Sequence, residues 1–167
     1  PMTPTADPNG SNDLLSRAAA GDIEARFSLG NSLLSRRDGV VDGARAAKLF
    51  EMASLAGHAL ATERIASLEA MGAGRVQSWP RALDQLQLAS EQGSDTAQAQ
   101  LLLHTDNRAD PIASADVPPE QWGVLRQQVD IDRLTRAPER RSLSEDPRIR
   151  VVEGFATAAE CKWLMAR

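Results

Sequence analysis

A chain of 167 residues with 42% hydrophobic side chains carries enough apolar material for one medium domain, and a formal charge of −4 with scattered lysines and arginines excludes the basic stripe of a nucleic-acid binder. A single cysteine, Cys161, rules out an intramolecular disulfide and a cysteine-based metal cluster, and is expected to be a small buried hydrophobe in a reducing compartment. With 4% aromatic residues, no tyrosine and no apolar run near the roughly 18 residues that cross a bilayer, the composition predicts an all-α body, no membrane partner and a cytoplasmic setting.

Residues 1–11, PMTPTADPNGS, are polar and rich in turn formers, so a disordered tail is expected there, with Pro1 ahead of Met2 read as a tag remnant. Asn12 or Asp13 should cap a helix running to about Ala20. Over residues 22–35, Ile23, Phe27, Leu29, Leu33 and Leu34 fall on one helical face, with Asp22 as a plausible cap. RRDGVVDG at 36–43 reads as a loop, and ARAAKLFEMASLA at 44–56 as a second helix ended by Gly57. The same order follows again: a helix over 58–71, the loop GAGRVQS, then a helix opened by Trp79-Pro80 and ended by Gly93. A third start, SDTAQAQLLLH at 94–104, runs into DNRADPIASADVPP at 106–119, whose prolines stop a helix. Helical pattern returns at 120–128 with Trp122, Leu125 and Val129 on its inner side, followed by a short turn around 131–134.

The remainder differs in kind. RAPERRSLSEDP at 136–147 reads as an exposed linker, and the β-branched run RIRVVEGF at 148–155 as a strand. Thr157 and Glu160 have the spacing of a capping box ahead of a terminal helix. A strand at 148–152 with no sheet partner in this chain is expected to pair with another copy or to pack irregularly.

One interval organises the first two thirds. Gly21, Gly57 and Gly93 stand 36 residues apart, and Ala25, Ala61 and Ala97 keep the same register. So do the pairs Arg45/Arg81, Ala46/Ala82, Ala53/Ala89 and Ser54/Ser90, together with apolar Leu29, Ile65 and Leu101, Val40 and Val76, and Phe50 and Leu86. A period of this length signals stacked supersecondary units, which need about three copies, or capping helices, to bury their faces. Here two and a half units occupy 12–104, and 105–136 reads as a capping segment.

GDIEARFSLGNSLL, a glycine-containing loop with Val40, then ARAAKLFEMASLAGH resemble the Sel1-like repeat, a relative of the tetratricopeptide repeat, over residues 20–104. The second copy departs from the first, with Ala66 for Gly30 and Glu69 for Leu33. The resemblance implies an α/α solenoid, a right-handed superhelix of helix pairs, that binds a protein or peptide on the concave face lined by the first helix of each unit. Arg26, Thr62 and Gln98 share one repeat position outside the apolar pattern, and Asn31 and Ser67 share another, which makes these five the candidate partner-binding surface. Gly21, Ala25, Gly57, Ala61, Gly93 and Ala97 are expected to be structural, as is His58 at the unit junction.

RIRVVEGFATAAECKWLMAR, on Pro147, Ile149, Val151, Val152, Phe155, Thr157, Glu160, Cys161, Leu164 and Met165, resembles the opening of a prolyl 4-hydroxylase-type oxygenase domain. That resemblance implies Fe(II) and 2-oxoglutarate as cofactors of a longer parent protein, with no cofactor or metal held by this chain. His104-Thr105-Asp106 has the letters of that family's His-x-Asp iron pair, but no histidine follows it, so it reads as accidental. Gly72-Ala73-Gly74-Arg75 follows no strand and reads as a turn, not a phosphate loop. The absence of tyrosine argues against proline-rich recognition by the repeats. The alternative, a self-contained adaptor whose last strand and helix close the solenoid, stays open, as does a purely structural spacer.

Overall fold

The computed structural model describes residues 8–35, 41–105 and 117–166, and the expectations for 1–7, for Val40 in its loop and for 106–116 lie outside them. The described chain is mostly helical with one small sheet: α1 (Pro8–Ala20), α2 (Ile23–Leu34), α3 (Gly43–Leu55), α4 (Ala59–Met71), α5 (Trp79–Glu91), α6 (Asp95–His104), α7 (Trp122–Gln127), α8 (Ile131–Thr135), β1 (Arg141–Glu145), β2 (Arg148–Val151) and α9 (Ala158–Met165). From α1 to α6 each helix packs on the next one in the chain, and α7 lies against α5 and α6. The first helix starts earlier than expected, at Pro8 instead of Asn12 or Asp13, because proline is tolerated at the first helical position.

The 36-residue interval is visible as one repeated joint. Gly21, Gly57 and Gly93 take φ of +101°, +87° and +87°, a region that costs a Cβ-bearing residue dearly. The next residue then sends its N–H back across the turn: Asp22 to the Arg17 carbonyl at 3.0 Å, His58 to Ala53 at 3.1 Å, Ser94 to Ala89 at 3.0 Å. That same residue caps the following helix, since the side chains of Asp22, His58 and Ser94 accept from the N–H groups of Ala25, Ala61 and Ala97. Carboxylate, imidazole and hydroxyl thus perform one task. Asp130, a further 36 residues on, caps α8 through the Arg133 N–H, so the segment expected as a turn is a short helix that keeps the register.

Packing between helices follows the same interval. One core cluster gathers Leu33, Ala46, Ala47, Phe50, Ala53, Ala61, Ile65 and Leu68, and the other Leu83, Leu86, Ala89, Ala97, Leu101, Leu102, Trp122, Leu125 and Val129. A Cβ on Gly30 would stand 2.5 Å from the Phe50 ring, so glycine is required there. One unit later the pair becomes Ala66 and Leu86, a smaller partner that admits the methyl group. Trp122, two intervals after Phe50, is buried in the corresponding place beside α5 and α6, as its inner-face pattern predicted.

Glu69, at the position of Leu33, is 5% exposed and lies under two guanidinium groups. Its Oε1 accepts from Arg75 Nη1 at 2.5 Å and its Oε2 from Arg81 Nε at 2.9 Å, while Arg75 Nη2 reaches Glu51 at 2.7 Å. Burial pushes this carboxyl up, but the hydrogen bonds from Arg75 and Arg81 outweigh it and hold it below the usual carboxylate range. The loop carrying Arg75 lies on the start of α3, where Gly74, at φ +73°, and Gly43 bring two backbones together; a Cβ on Gly74 would overlap Gly43 and Ala44.

The C-terminal part corrects three expectations. The presumed linker contains β1, which pairs antiparallel with β2 in the register Arg141↔Val151, Ser142↔Arg150, Ser144↔Ile149 and Glu145↔Arg148. The strand at 148–152 therefore finds its partner within the chain and does not need a second copy for it. Arg150–Glu145 and Arg141–Glu153 ion pairs brace the hairpin on its surface. Cys161 is exposed instead of buried, because α9 packs with none of its residues buried. Its N-terminus does carry the Thr157/Glu160 capping box. Among the described residues no helix is long and apolar enough to cross a membrane.

Two consequences are measurable by urea denaturation. Gly74→Ala is expected to lower stability by about 2–4 kcal/mol, through positive φ and backbone overlap together, against about 1 kcal/mol for Gly93→Ala, whose Cβ would meet nothing within 4 Å; equal losses would refute the backbone contact. Glu69→Gln should cost about 1–3 kcal/mol at pH 7 by taking the carboxylate from Arg81 and leaving Arg75 with Glu51 alone. Because the folded carboxyl titrates below its unfolded value of about 4.3, Glu69's contribution is present above that pH and is lost as pH falls through the lower folded value. The gap between wild type and Glu69→Gln is therefore expected to close on acidification from pH 5 to 3, and a pH-independent gap would rule the ion cluster out as its cause.

Candidate functional site

The five candidate partner-binding residues are not brought together. Arg26, Thr62 and Gln98 each reach back eight residues over the glycine joint: Arg26 Nε donates to the Ala18 carbonyl at 3.2 Å, Gln98 Nε2 to the Ser90 carbonyl at 3.0 Å, and Thr62 Oγ1 meets Ser54 Oγ at 2.7 Å. Thr62, expected on the surface, is 0% exposed. Its single hydroxyl proton goes to Gln92 Oε1 at 2.6 Å, which cannot donate in return, so the Ser54 hydroxyl is the donor to Thr62. Gln92 Nε2 completes the circuit on the Ser54 carbonyl at 3.1 Å. This repeat position binds one unit to the next.

Asn31 is half-buried on α2, and Ser67 is exposed on α4 with its Oγ donating to the Glu63 carbonyl at 3.1 Å. Of the five, Ser67 alone borders the recess described next. Ala25, Ala61 and Ala97, expected to be structural, are all buried at the caps.

The recess lies between α4, α5, α6 and α8 and has a volume of about 150 Å³. Ala66, Ala70, Ala82, Leu83, Leu86 and Leu134 make it apolar, Trp79 adds an aromatic wall, and Glu63, Ser67, Gln100 and His104 supply polar groups. The Glu63 carboxylate is engaged by the Ser94 hydroxyl. His104 also borders a neighbouring recess of about 310 Å³ formed with Arg133, Leu134, Arg136, Phe155, Thr157 and Glu160. Its Nδ1 is buried and has no hydrogen-bond partner. Burial lowers the pKa of this imidazole and the Arg133 charge lowers it further, against an opposing pull from Glu160, so the ring is neutral at pH 7.

The sequence carried a signal for this site that repeat-position reasoning passed over. His104 stands one interval after Leu68, a core residue 2% exposed, so a polar ring replaces a buried leucine. Gln100 lies on the same helix one turn earlier, and alanines at 66, 70 and 82 leave the space.

The described residues do not fit an Fe(II) centre. No group of three His, Cys, Asp or Glu side chains among them could hold a metal ion. His58 uses both ring nitrogens: Nδ1 accepts the Ala61 N–H at 3.1 Å, which leaves Nε2 as donor to Glu24 at 3.1 Å, and the ring stacks on Phe27 with centroids 4.5 Å apart. Asp106, the third letter of His104-Thr105-Asp106, lies outside the described residues. Comparison with family models, with curated proteins and with solved structures gives no match for this chain.

Thr62→Val is expected to cost about 1–3 kcal/mol in urea denaturation, because it strands the Ser54 hydroxyl and the Gln92 amide. Ser67→Ala should stay within about 0.5 kcal/mol. Equal effects at the two positions would mean that the Thr62 circuit contributes nothing.

Proposed function

We propose that residues 12–104, continued by α7 and α8, form a Sel1-like, tetratricopeptide-related α/α solenoid with a right-handed superhelical path, and that it binds a protein or peptide. The observation that carries this reading is the recess between α4 and α6, the first helices of successive units: it combines apolar volume with a few polar groups, the usual make-up of a recognition pocket. The capping side chains recurring at 22, 58, 94 and 130 support the solenoid.

The same proposal takes residues 148–167 as the opening of a prolyl 4-hydroxylase-type, 2-oxoglutarate- and Fe(II)-dependent oxygenase domain in a longer protein, to which the repeats present a substrate. The exposure of Phe155, Leu164 and Met165 in a segment without a buried core of its own supports it, as such side chains suit a face awaiting further structure. The contrasting reading, an adaptor in which this segment closes the helical stack, draws on Phe155 and Glu160 bordering one recess with His104.

Sequencing the gene beyond Arg167 separates the two. The oxygenase reading expects a His-x-Asp, a later histidine and a basic residue within about two hundred codons, and Fe(II)-dependent succinate release from 2-oxoglutarate by the extended protein. A stop codon at that point, or an extended protein with none of those residues, would leave the adaptor. The 167-residue chain alone should release no succinate above a protein-free control.

A further inference from the structure

We propose that the outer face of α3, α5 and α7 docks on the same face of a second copy of this chain, through an apolar row of Met52, Leu88 and Val124 and a reciprocal pairing of Lys48 with Glu120. The inference is independent of what the repeats bind elsewhere.

The row follows from the interval. Met52, Leu88 and Val124 stand 36 residues apart, each two residues after the corresponding core side chain of its helix, Phe50, Leu86 and Trp122. Two residues along an α-helix turn by about 200°, which carries the side chain to the side opposite the core. The three are exposed accordingly, at 44%, 37% and 55%. Gln92 Nε2 on the Ser54 carbonyl at 3.1 Å holds the ends of α3 and α5 together, and Arg126 Nε on Asp84 at 2.8 Å ties α7 to α5, so these helices are neighbours. Single apolar residues on a surface are ordinary, but the same outward position kept apolar on three neighbouring helices makes a strip.

Charge names the occupant. Lys48 and Glu120 stand four residues before Met52 and Val124, both are exposed, and among the described residues neither has an ion-pair partner. Asp84 and Arg81, on the helix between them, are answered within the chain by Arg126 and Glu69. The face therefore has an unanswered positive charge at its α3 end and a negative one at its α7 end, a pattern complementary to itself. A twofold axis along α5 lays α3 of one copy over α7 of the other. Leu88 then meets Leu88, Met52 meets Val124 and Lys48 meets Glu120, the last two contacts each made twice. An axis across the helices would set Lys48 against its own copy, and like charge disfavours it. With one apolar side chain from each of three helices, the interface belongs to the small class, and the dimer is weak.

The test is sedimentation equilibrium of the whole chain from about 10 µM to about 2 mM. The mass should rise from 18.0 kDa toward twice that value, with a Kd of about 0.1–1 mM. Leu88→Glu should hold it at the monomer value throughout. Met71→Glu, at a residue more exposed than any of the three but outside the row, should leave the Kd unchanged. Lys48→Glu and Glu120→Lys should each weaken association about tenfold, because each turns two symmetric pairs into like charges. An equimolar mixture of these two variants, in which every pair is again opposite, should regain the wild-type Kd. A mass of 18.0 kDa at every concentration would overturn the second copy as occupant and leave the face to a different protein. Equal loss from Met71→Glu, or a mixture no stronger than its components, would overturn the proposal as well.

Discussion

The structure depends on one joint, a glycine at positive φ followed by a residue that both closes the turn behind it and caps the helix ahead. At Gly21–Asp22, Gly57–His58 and Gly93–Ser94 the backbone bonds donated by Asp22, His58 and Ser94 agree to within 0.1 Å, although the capping groups are chemically unrelated. The backbone geometry is therefore the constrained quantity, and the side chain need only offer an acceptor three residues before the amide it serves. Since each joint sets the direction in which the next helix leaves, repeating it at a fixed interval repeats the helix arrangement as well. At Val129–Asp130 the glycine is gone while the cap remains, and there the helices shorten to α7 and α8.

Between joints the units solve the problem of filling space in different ways. Gly30 yields to Phe50, whereas Ala66 stands in the unit where the ring has become Leu86. Leu33 fills its site with hydrocarbon, while Glu69 fills the equivalent one with a carboxylate that needs Arg75 and Arg81 around it. A buried ion pair of this kind adds little over a well-packed apolar pair, but removing one member is costly, so it ties the 72–78 loop and the start of α5 to α4. The second unit has exchanged tolerance for connection.

The interval, the helices and most of their ends were legible in the sequence because glycine, proline and small-residue spacing act locally. Asp22 as a cap and Thr157 with Glu160 as a capping box are of that kind. Thr62 was misread because the helical pattern separates apolar from polar, not buried from exposed, and a hydroxyl satisfied by Ser54 and Gln92 can be fully buried. β1 was missed since Arg141–Glu145 has Leu143 as its one apolar side chain, and its strand state comes from pairing with β2, a partner that no local pattern reveals. The recess was hidden for a related reason: His104 draws its meaning from Leu68 a full interval earlier and from alanines on two other helices, and none of that is a motif.

Coupling also differs along the chain. The Ser54–Thr62–Gln92 circuit joins the end of α3, the start of α4 and the end of α5, so that the joints at Gly57 and Gly93 share a partner and cannot open independently without stranding buried polar groups. Among the described residues the ion pairs of the β1–β2 hairpin are exposed, no residue of β1, β2 or α9 is buried, and a two-stranded hairpin alone is marginal in water. The molecule thus has a cooperative centre at α3–α5, while its C-terminal end borders, with His104 and Leu134, a recess that Phe155, Thr157 and Glu160 also line.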